Sequence, residues 1–310
     1  MIIPKPLKPG DTIAMIGVSG AIRDDDLDGA VRTCAARLEG LGFRVKIDPS
    51  VYGQYGYLSG TDRERADALN RAFADDSVDG VWCIRGGYGC IRMLDMIDWE
   101  MIARHPKAFI GYSDITTLHT VLHERCGLCT FHGPMPVTSY FDGPMIDSLM
   151  HAITGHPDHA LVNLDGSSLG KLRGGTAEGM LVGGNLSLIT GTIGTPYELD
   201  TKDRILFIEE IGERTYCVDR MMTQQRLAGK FEDCAGIVFG DFNDCPVEYP
   251  EFGLTLEEVI RDIAAPCGKP IFTGLQAGHV TPKLTLPLGT RCRMDAGSCT
   301  LEILESAVLD

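Results

Sequence analysis

The chain has 310 residues, 44% hydrophobic and 23% charged, with a formal net charge of −15, a composition that fits a globular protein of one large or two ordinary domains. Its acidity leaves no basic stripe to neutralise phosphates, which argues against nucleic acid or an anionic membrane surface as a partner. The opening residues have no apolar run of signal-peptide length, and no run reaches the roughly 18 apolar residues of a membrane helix. In chain order, residues 12–17 (TIAMIG) read as a strand and 24–41 as a helix, with Leu27, Val31, Ala35 and Leu38 at helical spacing. Residues 43–47 are strand-like, 62–73 helix-like, and 80–84 (GVWCI) a strand ending at Arg85-Gly86-Gly87-Tyr88-Gly89. A helical stretch to about Ile97, a strand at 108–112 (AFIGY) and a helix from Asp114 to about Glu124 follow. Apolar strands alternating with helices imply a parallel sheet covered on both faces.

Around residues 155–175 this alternation fails. Five glycines there interrupt every apolar run, so the sequence divides into an N-terminal domain at 1–155, a linker at 156–175 and a C-terminal domain at 176–310. The last part carries short strands near 180–182, 205–208, 236–239, 284–288 and 299–304, with helices at 214–227 and 255–264, the pattern of a smaller mixed α+β domain. Eleven cysteines, scattered irregularly from Cys34 to Cys299, read as thiols of a reducing cytoplasm rather than a disulfide framework.

The sharpest local signal is Gly111-Tyr112-Ser113-Asp114, where an apolar strand runs directly into a helix. A serine on such a turn is either a nucleophile with the following N–H as oxyanion donor, or an N-cap that satisfies the first amides of the helix. Ile115 stands where the second glycine of G-x-S-x-G would be. The Gly86–Gly87 pair follows the neighbouring strand, so its main chain is expected at the same sheet edge, either offering N–H groups to a developing charge or making a plain turn. A phosphate cradle is disfavoured because no Walker lysine or G-x-G-x-x-G spacing is present.

For a base, His279 lies in a loop flanked by Gly278 and Pro282, after the apolar segment 270–272. Glu209 and Glu210 end a strand; adjacent strand residues face opposite sides, so only one can point at His279. His105, His151, His156 and His159 read as surface residues. His119, His123, Cys126, Cys129 and His132 have spacing that zinc would accept, and Cys126–Cys129 could be a redox pair, but a buried helix face followed by a buried strand explains the same residues.

Taken together, six segments in order resemble the LD-carboxypeptidase family of serine peptidases, which includes the microcin C immunity carboxypeptidases. They are LKPGDTIAMIGVSG, VWCIRGGYGCIRML, FIGYSDIT with HGPM after it, GMLVGGNLSLI, ILFIEEIGERTYCVDRMMTQ and AGHVTPKLTLPLG. The resemblance implies a nucleophile at Ser113, a glutamate at Glu209 rather than Glu210, and a histidine at His279. The same motifs put oxyanion donors at the Asp114 N–H and the glycine pair, Gly86 ahead of Gly87, with Arg85 and Asn185 near the substrate pocket. A flavodoxin-like N-terminal domain akin to class I amidotransferases would join a smaller mixed C-terminal domain, with the triad split between them.

The implied activity is release of terminal D-Ala from murein tetrapeptide in cytoplasmic wall recycling, without metal or organic cofactor. A homodimer is also implied, for which the helix around 218–227 offers an apolar face that core packing would equally explain. The competing possibilities are a microcin-C-type peptidase acting on aminoacyl-adenylate mimics, a non-hydrolytic amidotransferase-like binding module and, least favoured, a metal-binding regulatory protein. No aromatic suggests itself to hold a nucleotide base, since Trp82 and Trp99 both lie early in the chain.

Overall fold

A computed structural model describes residues 1–155, 160–249 and 251–309. His156, His159 and the first four residues of the expected linker lie outside these. The chain divides into two compact units, one of Met1–Pro157, Thr285–Pro287 and Ser306–Asp310, the other of Asp158–Leu284 and Leu288–Glu305.

In the first unit, strands β1 (Thr12–Ile16), β2 (Arg44–Ile47), β3 (Gly80–Cys83), β4 (Ala108–Gly111) and β5 (Thr130–His132) form a sheet in the order β2-β1-β3-β4-β5, with Leu286–Leu288 added beside β5. All four pairings among β1 to β5 are parallel. Strands β3 and β4 are buried at every position, as their unbroken apolar runs require in a sheet covered on both faces. The order is that of flavodoxin-like sheets, whose direction of winding reverses between β1 and β3, and ligands bind beyond the carboxyl ends of the strands at such a reversal.

Helices α1 (Leu27–Gly40), α2 (Asp62–Ala74), α3 (Trp99–Arg104), α4 (Thr116–Cys126) and α5 (Gly143–Thr154) belong to this unit. The first helix starts at Leu27 rather than 24 because Asp26 caps it, accepting from the Gly29 N–H. Val31, Cys34, Ala35 and Leu38 form its buried stripe. A capping box between Thr61 and Glu64 opens α2. The stretch read as helical before Ile97 is a 3₁₀ helix over Cys90–Met96, begun by Gly89 in a left-handed conformation.

The second unit is built on strands β6 (Ala160–Leu161), β7 (Gly170–Arg173), β8 (Thr176–Asn185), β9 (Ile205–Ile211), β10 (Gly236–Asn243) and β11 (Ile271–Thr273), with Arg291–Asp295 and Thr300–Ile303. Strands β8, β9, β10 and β11 run parallel in that order at the centre of its sheet, and the flanking pairs are antiparallel. Helices α6 (Leu186–Gly191), α7 (Thr215–Leu227), α8 (Lys230–Asp233) and α9 (Leu256–Ala264) accompany it. Two strands, β6 and β7, come from the stretch read as linker; they are short and largely exposed, so they carry no apolar run to announce them. Helix α7 turns Val218, Met221 and Met222 into the core of this unit, so core packing accounts for the apolar face considered for a dimer. Among the described residues no helix is long and apolar enough to cross a membrane.

Candidate active site

The chain leaves β4 at Gly111, passes through an extended Tyr112 and enters Ser113 with φ 67. A non-glycine residue held there costs on the order of 1–3 kcal/mol and survives only where the surroundings demand it. Tyr112, not Ser113, is the N-cap of the short 3₁₀ turn Ser113–Ile115 that leads into α4, so capping does not explain the serine.

The surroundings of Ser113 are specific. A Cβ on Gly86 would lie 2.8 Å from Ser113 Cβ and 3.0 Å from its Oγ, so only a glycine main chain can rest there unshifted. Gly87 has φ 137, and a Cβ on it would meet Gly20 Cα and N at 3.0 Å. The Gly86 carbonyl accepts from the Gly20 N–H (3.2 Å) and Arg85 Nε (3.1 Å), while Arg85 Nη1 donates to the Ala21 carbonyl (2.6 Å). Loops following β1 and β3 are thus joined where the sheet winding reverses. Arg85, implied as a pocket residue, is half-buried and spends these two nitrogens on main chain; burial first, then the charge of Arg23, lowers its proton affinity.

Asp114 contributes more than the N–H read from the sequence. Its buried side chain accepts from Ser19 Oγ (2.6 Å) and from the Cys90 N–H (3.0 Å), tying the serine turn to both loops. Burial and, next, the nearby Asp114 charge push the Cys83 and Cys90 thiols well up, leaving them as inert packing groups.

Behind the turn sits His119. A carbonyl can only accept, so Nε2 donates to the Gly111 carbonyl (2.8 Å), and Nδ1 then accepts from Thr130 Oγ1 (2.9 Å). Burial lowers its pKa to about 4, so the ring is neutral near pH 7. Both its nitrogens are therefore engaged in holding β4 and β5, and among the described residues no group of three or more His, Cys, Asp or Glu is arranged to hold a metal ion. His119 and His123 face the interior from α4 and His132 from β5, the packing arrangement their spacing allowed.

In the second unit, Glu209 and Glu210 diverge as adjacent strand residues must. Glu209 is fully buried, and its Oε2 accepts from His279 Nδ1 (2.7 Å). The proton on Nδ1 leaves Nε2 of the neutral ring as the acceptor. Glu210 accepts from Asn185 Nδ2 (2.8 Å), from Ser187 N–H (2.8 Å) and Oγ (2.7 Å), and from the Ile211 N–H (2.8 Å). Burial raises its pKa against the effect of these donors. Asn185, the other implied pocket residue, thereby braces Glu210.

Gly278 makes the Glu209–His279 pair possible. It has φ 108, and a Cβ there would fall 2.5 Å from Glu209 Oε2 and 2.7 Å from its Cβ and Cγ. The histidine loop is held from β10, where Asn243 Nδ2 donates to the His279 carbonyl (2.9 Å) and the Asp241 N–H to the Ala277 carbonyl (3.0 Å). Asp241 has its pKa raised by burial and then by the Glu209 charge, with His279 and Lys283 opposing. Sequence reasoning passed over Ser19, Asn243 and the Asp114 side chain; only the glycine immediately before His279 hinted at the close approach.

The structure thus assembles Ser113, Asp114, Gly86, Gly87 and Arg85 within one unit, and Glu209 with His279 within the other. Models of the LD-carboxypeptidase N-terminal domain and C-terminal domain match residues 13–133 and 178–294. A probable murein peptide carboxypeptidase of Bacillus subtilis is 40% identical over 308 residues, covering 98% of this chain and 95% of that protein. Among solved structures, the muramoyltetrapeptide carboxypeptidase of Oxalobacter formigenes is 26% identical with a TM-score of 0.81, over 94% of this chain and 97% of that one. The microcin C7 self-immunity protein MccF covers 100% of both chains at a TM-score of 0.89, and at 24% identity this likeness is one of fold. With both domain models matched in order along most of its length, the chain belongs to the LD-carboxypeptidase family of serine peptidases.

Proposed function

We propose that the protein releases terminal D-Ala from murein tetrapeptide by acyl transfer through Ser113. The observation that carries this reading is the strained Ser113 with the Gly86 main chain packed against its side chain. In the proposed reaction, His279 Nε2 takes the Ser113 proton as Oγ attacks the carbonyl of the diamino acid preceding D-Ala. Glu209 holds the other ring nitrogen and stabilises the imidazolium that forms. The oxyanion is received by the Asp114 N–H and an N–H of the Gly86–Gly87 pair, each donor worth roughly 2.7–4 kcal/mol by comparison with side-chain donors. His279 then returns the proton to the leaving amine of D-Ala, and water, activated by the same histidine, hydrolyses the ester. These steps run on side chains and main chain alone.

The pairing of Ser113 with Glu209 and His279 rests on the order of the family motifs, and the murein substrate on the relatives that carry that name. Cys34, Cys83, Cys90 and Cys126, buried and without a disulfide, support a reducing cytoplasmic setting, where recycled wall peptides would be the substrate. A homodimer is part of the reading and is checked by sedimentation. A panel of tri-, tetra- and pentapeptides ending in D- or L-Ala, read by mass spectrometry, tests specificity: the tetrapeptide with D-Ala is cleaved and the others are not. Cleavage of an aminoacyl sulfamoyl adenosine in preference to the tetrapeptide would instead support the immunity-type activity.

A further inference from the structure

We propose that Arg85 is a positioning residue that aims the Gly87 N–H as an oxyanion donor by holding the carbonyl of the Gly86–Gly87 peptide. The inference rests on Ser113 being the acyl-transfer nucleophile. The loop itself holds a conflict. Gly86 has to lack a side chain because Ser113 occupies the space, and Gly87 because Gly20 does and because its φ is 137. Two consecutive glycines let their shared peptide rotate at little steric cost, since neither residue has a Cβ to oppose the turn. Rotation by half a turn would replace an N–H with a carbonyl oxygen, putting negative charge where the oxyanion has to form.

The structure counters that freedom from one side. A trans peptide has its C=O and N–H on opposite edges of one plane, so fixing the Gly86 oxygen fixes the direction of the Gly87 hydrogen. Two donors, Gly20 N–H at 3.2 Å and Arg85 Nε at 3.1 Å, hold that oxygen, and the pair satisfies both of its lone pairs. Arg85 is itself anchored, because Nη1 donates to the Ala21 carbonyl at 2.6 Å. One planar guanidinium thereby spans the loops after β1 and β3, a task its rigid fork of donors suits and a lysine ammonium does not. A flip of the peptide would break both bonds to the Gly86 oxygen and leave a half-buried charge with one partner. In a pocket role for Arg85, its guanidinium would instead bind the substrate.

The test compares Arg85→Ala and Arg85→Lys with the wild-type protein, using D-Ala release from the tetrapeptide. It adds binding of a peptide boronic acid, whose adduct with Ser113 places an oxygen where the oxyanion forms, and binding of the tripeptide product. Arg85→Ala is expected to lower kcat roughly 100-fold, the scale of losing one oxyanion donor, with KM and tripeptide affinity within about twofold of wild type. Boronate affinity should fall by the same factor as kcat/KM, because both report the transition-state charge. Added guanidinium ion should recover part of kcat in Arg85→Ala, and Arg85→Lys should remain well below wild type. A rise in KM with kcat retained, or boronate affinity unmoved in either variant, overturns the proposal. Should Arg85→Ala fold poorly, the lysine variant carries the same kcat-against-KM comparison. Failure of the underlying reading looks different: wild type would form no Ser113–boronate adduct, or Ser113→Ala would keep its turnover.

Discussion

Gly86→Ala isolates the contact between the glycine loop and Ser113. The added methyl would stand 2.8 Å from Ser113 Cβ and 3.0 Å from Oγ, whereas carbon atoms pack comfortably at about 3.5–4.0 Å. Loop and serine must therefore separate by about 1 Å. Gly86 does not have the positive φ of Gly87, so alanine meets no left-handed strain, and the loss of unfolded-state freedom, about 0.4–1 kcal/mol, offsets part of the cost of forcing loop and serine apart. Stability should change little while geometry changes much. A displacement of that size costs about 100-fold in rate, and complete loss of a donor about 100- to 1000-fold. The expected outcome is a fall in kcat of that order with KM within a fewfold, measured by D-Ala release coupled to an oxidase, and a melting temperature close to wild type. A folded Gly86→Ala enzyme with kcat within about threefold of wild type would refute the packing argument, since a 1 Å displacement is expected to cost far more.

Three further outcomes follow from the site. Gly278→Ala combines a left-handed backbone with a methyl 2.5 Å from Glu209 Oε2, so it should lose about 1–3 kcal/mol in denaturant unfolding as well as turnover. Glu209→Gln should lower kcat by about 10⁴, as the wrong histidine tautomer does in a comparable triad, whereas Glu210→Gln should chiefly lower stability, by about 1–3 kcal/mol, through its contacts with Asn185 and Ser187. His119 has a folded-state pKa of about 4 against the ordinary 6.5, so the unfolded chain binds its proton more readily. Its contribution is complete above about pH 6.5 and is lost as pH falls towards 4, reaching about 3 kcal/mol at 1.4 kcal/mol per pH unit. Unfolding of wild type and His119→Asn across that range should show a shallower acid loss in the variant, and identical slopes would contradict a buried neutral His119.

What could be read from the sequence was whatever one segment carried by itself. GVWC and AFIG are unbroken apolar runs, so strands β3 and β4 and their parallel sheet were legible. The Gly-x-Ser turn after AFIG marked Ser113, and strand alternation showed that only one of Glu209 and Glu210 could meet the histidine. Strand β5 is three residues long and sits among histidines and cysteines whose spacing mimics a metal site. Strand β7, GKLR, is an exposed edge with no apolar face to reveal it. Contacts between distant segments left no local trace: Ser19 reaches Asp114 across 95 residues and Arg85 reaches Ala21 across 64. Resemblance could suggest that Arg85 belongs to the site, while its bonds to main chain emerge only when the loops after β1 and β3 are brought together.

The central claim is that Ser113 is the nucleophile of a D-Ala-releasing acyl transfer. Its most direct measurement is D-Ala release from L-Ala-γ-D-Glu-meso-diaminopimelate-D-Ala by wild type and by Ser113→Ala, each shown to be folded by circular dichroism. The account predicts turnover by wild type and none above background for the variant; turnover retained by Ser113→Ala would contradict it.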